Sequence, residues 1–389
     1  MTMRHMRHAG ATLVMAVAVT APSIADVQDE DGGRRAEAFE RLVMESRPDA
    51  SPPFDAETPS PDSPGDSIDA GRGPIPVHVP ASYDPETPTP LVILLHGFTS
   101  TGAQVESWMQ FATLVDEYGF LYLYPTGTTD VIGNPFWNAT DACCDFFGSG
   151  VDDSGYLREV IQQMQSNYNV DPRRVHFVGH SNGGFMSYRM ACDHADLVAA
   201  IASLAGATYL DPADCTPVAP VHTLQIHGTV DTVIPYNGGC VPFGGCHPGA
   251  VQTTETWAAY DGCALVGEPQ PDPLDLDAIM PGDETQVIRY ADGCAPGGSA
   301  ELWTINGGAH SPNLSADFNN LVIEFLLAHP KPADCPADLD GDGEVGIVDF
   351  LDLLAAWGPN PGHAADLDGD DVVGIVDFLE LLASWGPCP

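Results

Sequence analysis

The chain has 389 residues, with 13 basic against 55 acidic side chains and a formal net charge of −42. That balance excludes nucleic acid and anionic membranes as electrostatically favoured partners. The length allows one large domain and an accessory one, and 44% apolar residues are enough for a sizeable core.

Residues 1–25 read as an export signal. Arg4, His5, Arg7 and His8 form a basic start, Ala9 to Ala21 is mostly apolar, and Ser23-Ile24-Ala25 puts small residues before a cut at Asp26. The apolar run is too short for a membrane span, and no other stretch could cross a bilayer. Export agrees with ten cysteines, an even number that can pair outside a reducing compartment. The expected location is extracellular, with the chain held at a cell surface as a further expectation. Residues 26–70 are Pro, Asp, Ser and Glu with little to bury, so a solvated linker is expected, with folded structure from near Gly71.

From Gly71 to Pro330 strands alternate with helices. Strands are expected at Ile75 to Val79, Leu91 to Leu95, Phe120 to Tyr124, Val175 to Gly179, Val221 to Ile226, Thr285 to Tyr290 and Glu301 to Ile305. The continuous apolar run Leu91 to Leu95 fits a strand covered on both faces. Helices are expected at Gln104 to Glu117, Asp152 to Tyr168, Asn182 to Cys192 and Ser315 to Ala328. The alternation predicts an α/β class: a mostly parallel sheet with helices on both faces and ligands beyond the carboxyl ends of its strands.

Val175 to Gly184 organises this segment. Gly179, Ser181 and Gly183 make a G-x-S-x-G turn between a buried strand and a helix. Such a turn pushes the serine clear of the backbone and is too tight for flanking side chains. A serine hydroxyl needs a base, and the base needs an orienting acid. Downstream, Asp231 and His310 each follow a predicted strand and fit the order Ser, Asp, His. His180 sits in the elbow with its side chain expected to point away, while His227 and His96 each precede a glycine and read as structural. Oxyanion donors are expected from the amides of Asn182 and Phe98. Trp108, Phe136, Trp137, Phe146 and Phe147 could form an apolar platform for substrate. Cys143 and Cys144 are vicinal and are expected to pair with different partners, Cys192 and Cys215 first. Cys240 with Cys246, and Cys263 with Cys294, would close loops.

The ordered set Leu91 to Gly97, Trp137-Asn138, Cys143-Cys144, Val151 to Asp153, Gly179 to Gly184, His227 to Asp231 and Gly307 to His310 resembles secreted α/β-hydrolases of the polyhydroxybutyrate depolymerase and feruloyl esterase group. The resemblance covers about Gly71 to Pro330. It implies a serine carboxylic ester hydrolase with Ser181, Asp231 and His310 as its triad, acting on polymeric or small esters. Ser311-Pro312 stands where the group commonly carries an aromatic-proline pair, so an altered leaving-group pocket is expected. A peptidase on the same fold and a non-catalytic scaffold are the rival readings.

Residues 331–389 hold a duplication. Asp338 to Asp349 recurs 28 residues later as Asp366 to Asp377. Asp338, Asp340, Asp342 and Asp349, and likewise Asp366, Asp368, Asp370 and Asp377, fall at positions 1, 3, 5 and 12 of a loop, with the carbonyls of Glu344 and Val372 at position 7. This is the oxygen set that Ca2+ needs. Asp371 replaces the usual glycine at position 6 of the second loop. Each loop leads into the same apolar helix. The tail resembles a type I dockerin, which implies two structural calcium ions and a cohesin-like docking partner. Cys335 and Cys388 could clasp its ends, and so small a core would need such staples.

Overall fold

The computed structural model describes residues 67–242, 244–332, 335–340 and 342–388. The expected signal and most of the expected linker lie outside the described residues. Ten strands form one sheet: β1 (Ser67–Asp69), β2 (Pro74–His78), β3 (Thr89–Leu95), β4 (Leu121–Leu123), β5 (Val170–His180), β6 (Ala200–Leu204), β7 (His222–Gly228), β8 (Glu268–Pro269), β9 (Thr285–Tyr290) and β10 (Ser299–Ile305). Their spatial order is β1-β2-β4-β3-β5-β6-β7-β10-β9-β8. The run from β4 to β10 is parallel, and antiparallel strands flank it at both ends. The helices of eight or more residues are α1 (Gly102–Met109), α2 (Asp153–Asn167), α3 (Asn182–Asp193), α4 (Ala250–Tyr260) and α5 (Phe318–Ala328), followed by α6 (Ile347–Ala355) and α7 (Ile375–Ala383) in the tail.

Side-chain alternation splits the core into two layers. Leu91, Ile93 and Leu95 of β3 join one cluster with Leu157 and Ile161 of α2, Phe185 of α3 and Trp257 of α4. Val92 and Leu94 join the other, with Val105 of α1 and Val322 and Leu326 of α5. A strand whose successive residues face opposite layers must be apolar throughout, which is why β3 carries no polar residue from Leu91 to Leu95.

Three differences from the expected elements have physical causes. Folded structure begins before Gly71, because β1 pairs with β2 and buries Ile68. The expected helix at Gln104 to Glu117 breaks at Gln110, which adopts a left-handed φ of 58° and ends α1. A strand and a helix absent from the sequence reading, β6 and α4, complete the domain. Cys143 and Cys144 pair with each other, correcting the expected pairing with Cys192 and Cys215. Cys192, at the end of α3, instead faces Cys215 across 5.7 Å between Cα atoms, within the ordinary range for a bridge. The pairs Cys240–Cys246, Cys263–Cys294 and Cys335–Cys388 are as expected. No helix among the described residues is long and apolar enough to cross a membrane.

The tail forms its own small core from Ala337, Val345, Leu353, Ala365, Val373 and Leu381. Phe350 and Phe378, equivalent residues of α6 and α7, pack with ring centres 5.6 Å apart. The two repeats exchange edges: Glu344–Val345 pairs with Gly386–Pro387, and Gly358–Pro359 with Val372–Val373.

Asp261, at the end of α4, is buried. Its Oδ1 accepts the Val221 N–H at 3.1 Å, while Oδ2 has no partner among the described residues. Burial pushes its carboxyl up to about 8, against the opposing pull of the Val221 N–H and Lys331. The folded chain therefore keeps a proton there that the unfolded chain, titrating near ~3.9, has lost. Stability should fall as pH rises through that window. Asp261→Asn should flatten the decline in melting temperature between pH 5 and pH 8, read by differential scanning calorimetry; an unchanged slope would contradict the assignment.

Candidate active site

The site is assembled at the carboxyl ends of β3, β5, β7 and β10. Ser181 follows β5 and opens α3 with φ 54° and ψ −119°. A non-glycine residue with positive φ is strained and persists only where its surroundings enforce it. They do so by crowding. A Cβ on Gly179 would meet the Gly183 carbonyl oxygen at 2.2 Å, and one on Gly183 would meet that of Leu95 at 2.1 Å. The Ser181 N–H is held by the Leu204 carbonyl at 2.8 Å. Ser181 is 5% exposed.

Asp231 and His310 meet as expected. His310 Nδ1–H donates to Asp231 Oδ2 at 2.8 Å, and both side chains are buried. Asp231 Oδ1 accepts the N–H groups of Val233 and Ile234, each at 2.8 Å. His227 Nε2 lies 3.3 Å from Oδ2 and donates to the Ile234 carbonyl at 2.8 Å. Burial alone would raise the Asp231 carboxyl. The charge of His310 and the N–H bonds from His227 and His310 outweigh it and hold the group well below the usual carboxylate range. With Nδ1 committed to Asp231, the remaining ring nitrogen of His310 is the one able to exchange a proton.

The loop after β3 packs on Ser181. A Cβ on Gly97 would lie 3.4 Å from Ser181 Cβ, so this glycine leaves the serine room. His96 anchors the loop. Its Nε2 accepts the Gly127 N–H at 2.9 Å, so Nδ1 carries the proton and donates to the Gly97 carbonyl at 2.7 Å. Burial pulls His96 down to about 4 despite the Gly97 bond, and it stays neutral at pH 7. His96 is structural, as expected, whereas His227, expected to be structural, also reaches the Asp231 carboxylate. His180 is not turned away: its Nε2 lies 3.0 Å from the His310 carbonyl oxygen. The tight elbow leaves its ring facing the loop of His310.

Beneath these groups runs a network with no assigned role in the sequence reading. The Asn182 carboxamide pairs with the Trp137 peptide, accepting its N–H at 2.7 Å and donating to its carbonyl at 2.9 Å. Trp137 Nε1–H donates to the His96 carbonyl at 3.1 Å. Asp153, fully buried, accepts the Asn138 N–H at 2.6 Å and pairs with Arg72 at 2.5 Å. Two of the motifs that mark the family resemblance, Trp137-Asn138 and Val151 to Asp153, thus join into one brace under Asn182 and His96. Their place in the ordered motif set that carries the family resemblance was the available signal.

The expected aromatic platform is corrected in part. Phe136 and Trp137 are fully buried, because Trp137 serves the brace. Trp108 packs edge-on against His180, and Phe146 packs against Phe98. Phe146 also lines a cavity of about 550 Å³ beside α3, with Thr140, Asp141, Arg189 and Tyr209.

In the tail, carboxylate oxygens of Asp338, Asp340 and Asp342 lie within 4.8 Å of one another, as do those of Asp366, Asp368 and Asp370. Burial and the neighbouring carboxylates raise the Asp340 and Asp368 carboxyls. Position 6 is left-handed in both loops, with φ 86° at Gly343 and 68° at Asp371. Aspartate tolerates that region better than most residues, so the second loop keeps the turn. Asp349 and Asp377 stand outside the clusters. Asp349 Oδ1 accepts the Leu339 N–H and Oδ2 the Gly346 N–H, both at 2.6 Å, and Asp377 repeats this with Leu367 and Gly374.

A serine on a strained elbow and a histidine held by a buried carboxylate form a set able to perform acyl transfer. Comparison with known proteins gives the family. Residues 71–280 match the family described as "Putative esterase", and the chain belongs to that family. It is 31% identical over 258 residues to feruloyl esterase B of Piromyces equi, covering 64% of this chain and 45% of that protein. It is 30% identical over 137 residues to poly(3-hydroxyalkanoate) depolymerase C of Paucimonas lemoignei, covering 34% of this chain and 31% of that protein. The chain thus spans less than half the length of either relative. Among solved structures it is similar to an acetyl xylan esterase from Aspergillus awamori, at 18% identity and a TM-score of 0.47, covering 67% of this chain and 98% of that one.

Replacing Asn182 with Ala should leave the N–H of Trp137 unpaired in a buried setting and its carbonyl with only the Cys144 N–H at 3.3 Å. The expected cost is about 1–3 kcal/mol, measured by urea unfolding. A loss under about 0.5 kcal/mol, the level of an ordinary surface substitution, would show that the brace carries little.

Proposed function

We propose that this chain is a secreted serine carboxylic ester hydrolase of α/β-hydrolase type that cleaves feruloyl or acetyl esters of a polysaccharide. The buried Asp231–His310 bond at 2.8 Å, at a strand end beside the Ser181 elbow, is the observation that carries it. In this mechanism His310 takes the Ser181 proton as the hydroxyl attacks the ester carbonyl. Asp231 holds the imidazole in the tautomer that accepts it and stabilises the resulting cation. The amides of Phe98 and Asn182 receive the oxyanion. His310 returns the proton to the leaving alcohol, and water releases the acyl group by the reverse sequence.

The cavity beside α3 favours a glycan over a polyester. Its lining, which includes none of Ser181, Asp231 and His310, presents a guanidinium, carboxylates, a hydroxyl and a phenol, whereas a polyester repeat offers few donors to match them. Wild type and Ser181→Ala should be compared on methyl ferulate, acetylated xylan and polyhydroxybutyrate. The expected order of kcat/KM is xylan ester and ferulate well above polyester, with Ser181→Ala reduced by on the order of 10³-fold or more. Preferred cleavage of polyhydroxybutyrate would overturn the substrate reading. Peptide cleavage would overturn the ester-hydrolase reading, and full activity in Ser181→Ala would overturn the mechanism.

The tail is proposed to bind two Ca2+ ions and to dock a cohesin-like partner. The converging aspartates offer hard oxygen donors with excess negative charge, as such a cation requires. Asp349 and Asp377 would complete each set through lone pairs not used by the loop amides. Ile347, Leu351 and Leu354 on α6, and Ile375, Leu379 and Leu382 on α7, are exposed and give the docking face its apolar content. Calorimetric titration with Ca2+ should give two sites per chain, and EGTA should lower the tail's melting transition. One loop binding, or a melting curve indifferent to EGTA, would contradict this.

A further inference from the structure

His180 stands between the two halves of the site. Its Nε2 is 3.0 Å from the main-chain oxygen of His310. A carbonyl can only accept, so Nε2 carries the proton and donates it. Ser311 Oγ lies 3.4 Å from the same nitrogen, and the rings of His180 and His310 are 4.9 Å apart between centroids. On its other side, Nδ1 faces Gly97, where a Cβ would approach it to 3.3 Å. Trp108 closes over the imidazole edge-on at 4.9 Å. One side chain therefore bonds the peptide of His310, packs on the loop of Phe98, and is the covalent neighbour of Ser181.

The Asp231 bond fixes one edge of the His310 ring and its tautomer. Just before His310 the main chain is tied by the Gly307 N–H to Thr229 Oγ1 at 2.8 Å and by the Val230 N–H to the Gly308 carbonyl at 3.0 Å, and neither bond reaches the His310 peptide itself. Gly307 and Gly308 precede His310, and Gly307 adopts φ 84°. Glycines carry the largest backbone freedom of any residue, so an anchor on the His310 peptide itself, beyond the ties at Gly307 and Gly308, bears directly on where the ring stands. The His180 N–H supplies that anchor from the one element, the elbow, whose geometry is already fixed by crowding.

We propose that His180 is a positioning residue for acyl transfer: its Nε2–H ties down the main chain of His310 and so sets the approach of the His310 ring to Ser181. This rests on the triad reading above. The residue touches neither the ester nor the transferred proton, so its loss should appear in kcat and not in KM.

The test compares His180→Leu, which keeps bulk and loses the donor, with His180→Gln, whose amide N–H reaches similarly far. Rates are measured on a soluble aryl ester alongside His310→Ala, with melting temperature as a check on folding. His180→Leu should lower kcat by about 10- to 100-fold, as a small misplacement of a reacting group does, with KM within about twofold. His180→Gln should recover most of the loss. If His180→Leu does not fold, His180→Asn takes its place, since its shorter amide cannot reach the same oxygen. Full kcat in His180→Leu, or a His180→Gln as slow as His180→Leu, would overturn the proposal. Activity persisting in His310→Ala would instead overturn the triad on which it stands.

Discussion

Everything at this site depends on one buried carboxylate. Asp231 is 6% exposed, and an isolated charge there would be driven to take up a proton. Two backbone N–H groups and the rings of His227 and His310 converge on its two oxygens instead. The balance of burial against these donors keeps it ionised. An ionised Asp231 in turn fixes which nitrogen of His310 is protonated. The loop after β7 folds tightly because the Asp231 side chain collects its own backbone at Val233 and Ile234, so the carboxylate that holds His310 is also the organiser of the loop that presents it.

The second constraint is steric. Gly179 and Gly183 leave space only for backbone, and Ser181 is pressed into a left-handed conformation between them. That strain is held by the parallel sheet on either side, through the Leu95 and Leu204 carbonyls. The polar brace from Asp153 through Asn138 and Trp137 to Asn182 and His96 then sets the neighbouring loop. Helix, elbow and loop are thereby joined by hydrogen bonds made in a buried setting, where an unpaired member is costly.

Much of this was legible in the sequence, because the elbow, the strand-end aspartate and the strand-end histidine are local signals. The pieces that were missed are those defined only by tertiary contact. β6, with the sequence Ala-Ile-Ala-Ser-Leu, is short and built of small residues, and only its place between β5 and β7 makes it a strand. α4 carries two adjacent threonines and lacks a strong helix-forming run; packing of Trp257 supplies the stability that propensity does not. The direction of His180 and the pairing of Cys143 with Cys144 follow from loop geometry that no spacing rule encodes. In the tail, the duplicated aspartates announced the two clusters, yet the inward turn of Asp349 and Asp377 toward loop amides came only with the coordinates.

Mass-spectrometric mapping of covalent labelling by an aryl fluorophosphonate is the most direct test of the buried carboxylate's role. The expected result is a single adduct on Ser181, with labelling slowed by on the order of 10³–10⁴ in Asp231→Asn, where the tautomer of His310 is lost. An adduct on another residue, or a Ser181 that reacts equally fast in folded Asp231→Asn, would contradict it.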